Sequence, residues 1–142
     1  MSKDGPVVVI EDDEDDQQIL QDIFVRLNYP NKIVFFKDGN AALDFLNKTE
    51  VLPFLILSDI NMPRINGFEL RDKVRTSALL HLKCIPYLFF TTTADKKAVL
   101  DAYTMSVQGF FVKPNSITKL ESTIRKIMDY WIECTAPSAF EG

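Results

Sequence analysis

Five short, unbroken apolar runs recur along this chain, at Val7 to Ile10, Ile33 to Phe36, Phe54 to Leu57, Tyr87 to Phe90 and Phe110 to Val112, each bounded by Gly, Pro, Asn or charge. Runs this short, with no polar alternation, read as strands buried on both faces. Between them the apolar spacing changes to that of a helix: Ile19, Leu20, Ile23, Phe24 and Leu27 share one helical face, and Ile117, Leu120, Ile124, Ile127 and Trp131 another. Strand and helix alternate five times. A strand with two apolar faces needs cover on both sides, so the pattern predicts an α/β protein with a doubly wound, parallel, five-stranded sheet and right-handed crossovers. At 142 residues, 46% of them hydrophobic, the chain can build one such core and is short for a second domain.

Composition then removes several functional classes. The longest apolar runs, Pro53 to Leu57 and Pro86 to Phe90, fall far below the roughly 18 residues of a membrane span, and MSKDGP carries no apolar signal core. No membrane partner and a cytoplasmic location are therefore expected. Cys84 and Cys134 lie fifty residues apart with no second pair, which suggests neither a disulfide framework nor a zinc site. The net charge of −4 is unevenly spread: residues 1–16 carry seven acids against Lys3, whereas the remaining 126 residues hold thirteen acids and fifteen bases. A nucleic-acid surface would show a basic stripe, so nucleic acid is not an expected partner.

In open α/β sheets ligands collect beyond the carboxyl ends of the strands. The first strand ends in Glu11, Asp12 and Asp13, the third in Ser58, Asp59, Ile60 and Asn61, the fourth in Thr91, Thr92 and Thr93, and the fifth in Lys113 and Pro114. Carboxylates gathered on one edge disfavour one another's ionisation unless a cation offsets them. Because the donors are all oxygens, a hard ion such as Mg²⁺ is favoured over zinc. With Lys113 as a second cation and Thr91 as a hydroxyl donor, the set reads as a phosphoryl-transfer site with Asp59 as nucleophile, giving an aspartyl phosphate.

Other features have plainer readings. Acids running from Asp13 to Asp16 in front of a helix fit capping and the helix dipole. His81 fits a surface connection before the fourth strand. Gly67 fits the start of a helix, since no glycine-rich phosphate loop surrounds it. The seam of the last helix fits packing on the sheet, although steps of three and four also suit a partner helix.

The segments VVIEDD, LILSDINMPRINGFE, IPYLFFTTT and GFFVKP are similar to the signature blocks of bacterial response-regulator receiver domains, above all the spacing of Asp59, Met62, Pro63 and Gly67 after a buried strand. The likeness runs from Val7 to Trp131. It implies a flavodoxin-like (βα)5 fold of strand order 2-1-3-4-5, with a receiver domain over residues 1–134, a flexible tail over 135–142 and no output domain. It also implies Asp59 as phosphoacceptor, Asp12 as direct Mg²⁺ ligand, Glu11 as a water-mediated one, and Asn61 as a ligand through its backbone carbonyl. Thr91 and Lys113 become phosphate contacts, and Phe110 an aromatic switch that turns inward when Thr91 moves toward the phosphate. A cis peptide from Lys113 to Pro114 is expected on the same ground. Glu11 stands where Asp is commoner, Phe110 where Tyr is, and Thr92 where a smaller residue is frequent.

The implied partner is a sensor histidine kinase or a phosphotransfer protein. The implied output face joins the helix after the fourth strand, the fifth strand and the last helix, with Tyr103, Phe110 and Trp131 as apolar anchors and a homodimer as one use. The stretch RTSALLHLKCIP resembles receivers that accompany bacterial phytochromes. An alternative from another class is a Mg²⁺-dependent phosphohydrolase of the haloacid-dehalogenase type, which also uses an Asp nucleophile. That class needs a second Asp two residues on as general acid, and this chain has Asn61, which cannot protonate a leaving group.

Overall fold

A computed structural model describes residues 1–92 and 95–137. Strands β1 (Val7–Ile10), β2 (Ile33–Phe36), β3 (Leu55–Ser58), β4 (Tyr87–Thr91) and β5 (Gly109–Val112) form one parallel sheet of order β2-β1-β3-β4-β5. The expected strand order and doubly wound architecture are met. Three strands, β1, β3 and β4, are buried along their whole length, while the edge strand β2 is only half-buried.

Alternate residues of the central strands feed two cores. Val7, Val9, Leu55, Leu57, Leu88 and Phe90 face Leu20, Ile23 and Phe24 of α1 (Glu14–Leu27) and Ile124, Ile127 and Met128 of α6 (Ile117–Glu133). Val8, Ile10, Ile56, Tyr87 and Phe89 face the opposite layer. That layer comprises α2 (Gly39–Lys48), α3 (Gly67–Thr76), α4 (Ala78–Leu82) and α5 (Lys96–Thr104). The period of two along each strand thus places apolar side chains on both sides, which is why the runs show no polar alternation. The seam of the last helix resolves the same way: Ile124 and Ile127 are core, with Leu120 and Trp131 packed against it, and only Ile117 stands in solvent.

Three expectations need correction. Among the described residues the fold has six helices rather than five, because the stretch holding His81 coils into α4, where Ser77 accepts from the N–H of Leu80 and Leu80 is buried as its anchor. His81 is nonetheless exposed. Packed chain also runs past residue 134, since Ala136 is 3% exposed in the α1–α6 core; residues 138–142 of the expected tail lie outside the described residues. Finally, the peptide into Pro114 is trans. An X–Pro bond favours trans by about 0.5–1 kcal/mol.

Local signals start the helices where the sheet needs them. Asp13 caps α1, accepting from the N–H groups of Asp15 and Asp16 at 2.9 and 3.0 Å. Asn66 and Glu69 form a capping box at α3, whose first residue, Gly67, donates its N–H to the Ile60 carbonyl at 2.8 Å. A Cβ on Gly67 would sit 2.3 Å from the Asp59 carbonyl oxygen and 2.9 Å from both Ile60 Cα and a Phe89 ring carbon. Two of those neighbours are backbone and cannot turn aside. Gly67→Ala is expected to cost about 3 kcal/mol of stability by overpacking, read as a lower urea midpoint at unchanged slope; a loss within experimental error would mean the β3–α3 loop yields freely.

Candidate functional site

Backbone pairing continues one step beyond the strands and delivers the site residues in fixed positions. Glu11 donates its N–H to Phe36 at 2.9 Å, Asp59 to Ile10 at 3.0 Å, and Lys113 to Thr91 at 2.8 Å. Each side chain therefore leaves the sheet edge from a backbone that is still part of the ladder. Glu11 is 3% exposed, Asp59 9%, and Thr91 is fully buried, whereas Asp12 stands in solvent at the rim.

These groups meet. Carboxylate oxygens of Glu11, Asp12 and Asp59 lie within 4.8 Å of one another. Lys113 Nζ donates to Glu11 Oε2 at 2.8 Å and to Asp59 Oδ2 at 3.2 Å, and lies 3.6 Å from Asp16 Oδ2. Thr91 hydrogen-bonds the Asp59 side chain, and the N–H of Ile60 donates to Asp59 Oδ1 at 2.7 Å. Glu11 is also held from below, accepting at Oε1 from the N–H of Asp13 at 3.3 Å while its carbonyl takes the Gln17 side-chain amide.

Asn61 follows on the same loop, two residues past Asp59, and is exposed. Phe110 is half-buried and does not belong to the polar cluster; its ring lies edge-on to Phe89 at 6.2 Å. Of the expected fourth-strand residues, Thr92 is exposed and Thr93 lies outside the described residues. Asp16 is the site residue that the sequence reading missed. It lies in the first turn of α1, where capping and the helix dipole already account for an acid, and its approach to Lys113 is a contact between elements that no spacing along the chain announces.

Charge counting shows what the cluster lacks. Glu11, Asp12 and Asp59 with Lys113 carry a formal −2, before the more exposed Asp16 at the edge is counted, and two unit charges 4.8 Å apart repel by about 3.5 kcal/mol at an effective dielectric near 20. Burial, and then the Asp59 carboxylate beside it, push the Glu11 carboxyl up to about 7 against the pull of Lys113. Burial acts in the same direction on Asp59, but hydrogen bonds from Glu11 and Thr91, with the charge of Lys113, outweigh it and hold that carboxyl below its ordinary value. Burial disfavours the Lys113 ammonium too, and Glu11 and Asp59 more than reverse this. A proton on Glu11, bonded toward an ionised Asp59, is thus the metal-free way of relieving the repulsion. One divalent cation would cancel the same −2, and an all-oxygen donor set suits Mg²⁺.

Comparison with known proteins identifies the family and supports the fold. A family model described as a response regulator receiver domain matches residues 7–125. The probable methanogenesis regulatory protein FilR2 of Methanothrix harundinacea is 29% identical over 130 residues, covering 89% of this chain and 83% of that protein. Response regulator Rcp1 of Synechocystis is 26% identical over 139 residues, covering 94% and 93%. Its Mn²⁺-bound crystal structure matches with a TM-score of 0.78 at 24% identity over 92% of this chain and 96% of that one. The phosphorylated cyanobacterial phytochrome response regulator RcpA reaches 0.84 at 23% identity over 93% and 97%.

Proposed function

The chain belongs to the response regulator receiver domain family, and on that footing we propose that it is a phosphoacceptor signalling module in which Asp59 takes a phosphoryl group from a sensor histidine kinase or a phosphotransfer protein. An Asp59 oxygen forms the new O–P bond, the P–N bond of the donor phosphohistidine breaks, and the imidazole leaves with the electron pair. The observation that carries the reading is the convergence of Lys113, Thr91 and three carboxylates on Asp59.

Mg²⁺ fits here because the cluster is two charges too negative and offers only oxygen. Asp12, Asp59 and the backbone carbonyl of Asn61 would hold it, with Glu11 acting through water; when bound it supplies neutralisation of the incoming phosphoryl oxygens. Lys113 offers a second cation to the same oxygens and exchanges its Asp59 contact for one with the phosphoryl group. Thr91 donates its hydroxyl from the buried side. Position 61 is an amide, so nothing two residues past Asp59 can serve as the general acid of a phosphohydrolase, and any loss of the phosphoryl group is slow self-hydrolysis.

The signal leaves through packing. Movement of Thr91 toward a phosphoryl group frees space beside β4 and β5, Phe110 turns further in against Phe89, and the face made by α5, β5 and α6 changes shape. Tyr103, Val112 and Tyr130 stand exposed there and give apolar anchors to a kinase, a target or a second copy of the chain. Partners of this kind place the protein in the cytoplasm, and the resemblance to Rcp1 and RcpA favours a phytochrome-type kinase as donor.

The direct test supplies acetyl phosphate with Mg²⁺ and follows intact mass. One phosphate is expected, and none once EDTA has removed the metal. Absence of uptake both from acetyl phosphate and from a panel of phosphorylated histidine kinases would sink the reading.

A further inference from the structure

We propose that the cavity at the amino ends of β4 and β5 is a second ligand site, which takes a small amphipathic carboxylate: an apolar chain or ring with one acid group, the acid lying against Arg71. Pro86 and Gln108, which line it, stand just before those strands, whereas Asp59 and Lys113 stand past the carboxyl ends of theirs. The two sites are therefore at opposite ends of the sheet, and this one does not depend on the reading of Asp59.

Arg71 of α3 is 7% exposed and forms no ion pair among the described residues. Its Nε and Nη2 donate to the carbonyls of Met105 and Ser106 at 3.0 and 2.7 Å, at the end of α5, and its guanidinium carbon lies 5.3 Å from the Tyr87 ring centroid. These partners compensate only part of its charge. The carboxyl end of a helix carries roughly half a negative charge, and an aromatic face carries no net charge at all. Burial accordingly pushes the guanidinium below its ordinary value, with no carboxylate beside it to push back. A buried cation ordinarily has an anion for a partner, and this one has room for one.

Nη1 is the guanidinium nitrogen with no bond to the protein. Among the described residues no side-chain nitrogen or oxygen is both sealed from solvent and unpartnered, so Nη1 is open, and Arg71 lines a cavity of about 440 Å³. Ligand pockets of roughly 300 to 1,000 Å³ are usual. The walls here are hydrocarbon and aromatic, from Val74, Leu80, Ile85, Pro86 and Trp131, and no acid lines them. Arg75 adds a second cation at the mouth, offset by Asp72 at 2.9 Å. Apolar walls call for an apolar body, and a single open nitrogen beside a partly compensated charge calls for one negative charge. A dianionic phosphate would leave its oxygens short of donors and the walls wet.

The experiment titrates the full chain with octanoate, and with octanamide as its uncharged analogue, by calorimetry and by the fluorescence of Trp131, the one tryptophan of the sequence. Octanoate is expected to bind once, with a Kd of about 0.1–1 mM for a ligand of this size, and to shift the Trp131 emission. Octanamide is expected to bind at least about tenfold more weakly, as is octanoate to Arg71→Met, which keeps an apolar stem over Tyr87 and removes the charge. Cys84, exposed and on the cavity wall, gives a footprint. Bound octanoate is expected to slow its alkylation by iodoacetamide at least threefold and to leave Cys134, which does not line the cavity, at its original rate. No binding up to about ten times the expected Kd overturns the proposal. So does equal affinity for octanamide, an undiminished affinity in folded Arg71→Met, or binding that leaves Cys84 unprotected. Should Arg71→Met fail to fold, the octanamide comparison and the Cys84 footprint decide on the wild-type protein.

Discussion

Asp59→Asn is expected to reduce phosphate uptake to background while the protein stays folded. The change keeps the side chain's shape, and an amide oxygen can still accept the Ile60 N–H that now reaches Oδ1. What disappears is the anionic oxygen facing Lys113, and a neutral amide is no nucleophile at phosphorus. Neighbouring carboxylates cannot take over. Glu11 is held by Lys113 and by the N–H of Asp13 and carries a proton up to about pH 7, while Asp12 projects into solvent at the rim. Intact mass after acetyl phosphate treatment, with circular dichroism and cooperative urea unfolding as the folding control, measures both halves. A folded Asp59→Asn that still gains one phosphate would move the acceptor elsewhere in the acidic cluster.

Most of this site was legible because of where it lies. Strand-end residues can be read from a sequence once the strands are found, and the uniformly apolar runs at Val7 to Ile10, Phe54 to Leu57 and Tyr87 to Phe90 mark the buried central strands well. Glu11, Asp59, Thr91 and Lys113 then followed as the residues at which those runs and the fifth one end. Contacts that depend on a side chain crossing between elements were not legible. The Lys113–Asp16 approach needs the pitch of α1, and the acids around Asp16 were already accounted for by capping, a sufficient local reason that hid a second one. Tyr87 opens an apolar run and so reads as core, which it is; that the Arg71 guanidinium packs over its ring and Phe89 meets it edge-on depends on residues from elsewhere in the chain and the strand. The short helix α4 was missed for a related reason, because five residues show too little periodicity to separate a helix from a connection.

Mg²⁺ affinity is expected to fall about tenfold for each pH unit below 7 and to level off above it. Glu11 titrates near 7 in the metal-free protein, raised by burial and by Asp59, so below that pH the site holds a proton that a divalent cation must displace. One proton lost per ion bound gives the tenfold slope, and isothermal titration in buffers of different ionisation enthalpy reads that proton directly. The stability of the metal-free protein must then move the opposite way. Glu11 has a folded pKa above its ordinary 4.5, so its contribution is fully present below about 4.5 and is lost as pH rises through about 7. Asp59, held below its ordinary 3.8, adds a pH dependence of the other sign only in more acid solution, outside that window. Without Mg²⁺ the protein is therefore expected to unfold at lower urea at pH 8 than at pH 5.5 from this group, and saturating Mg²⁺ to restore more stability at pH 8 than at pH 5.5. A Mg²⁺ affinity that stays flat between pH 5.5 and 8 would show that Glu11 is ionised throughout, and that Lys113 rather than a proton balances the cluster before the metal arrives.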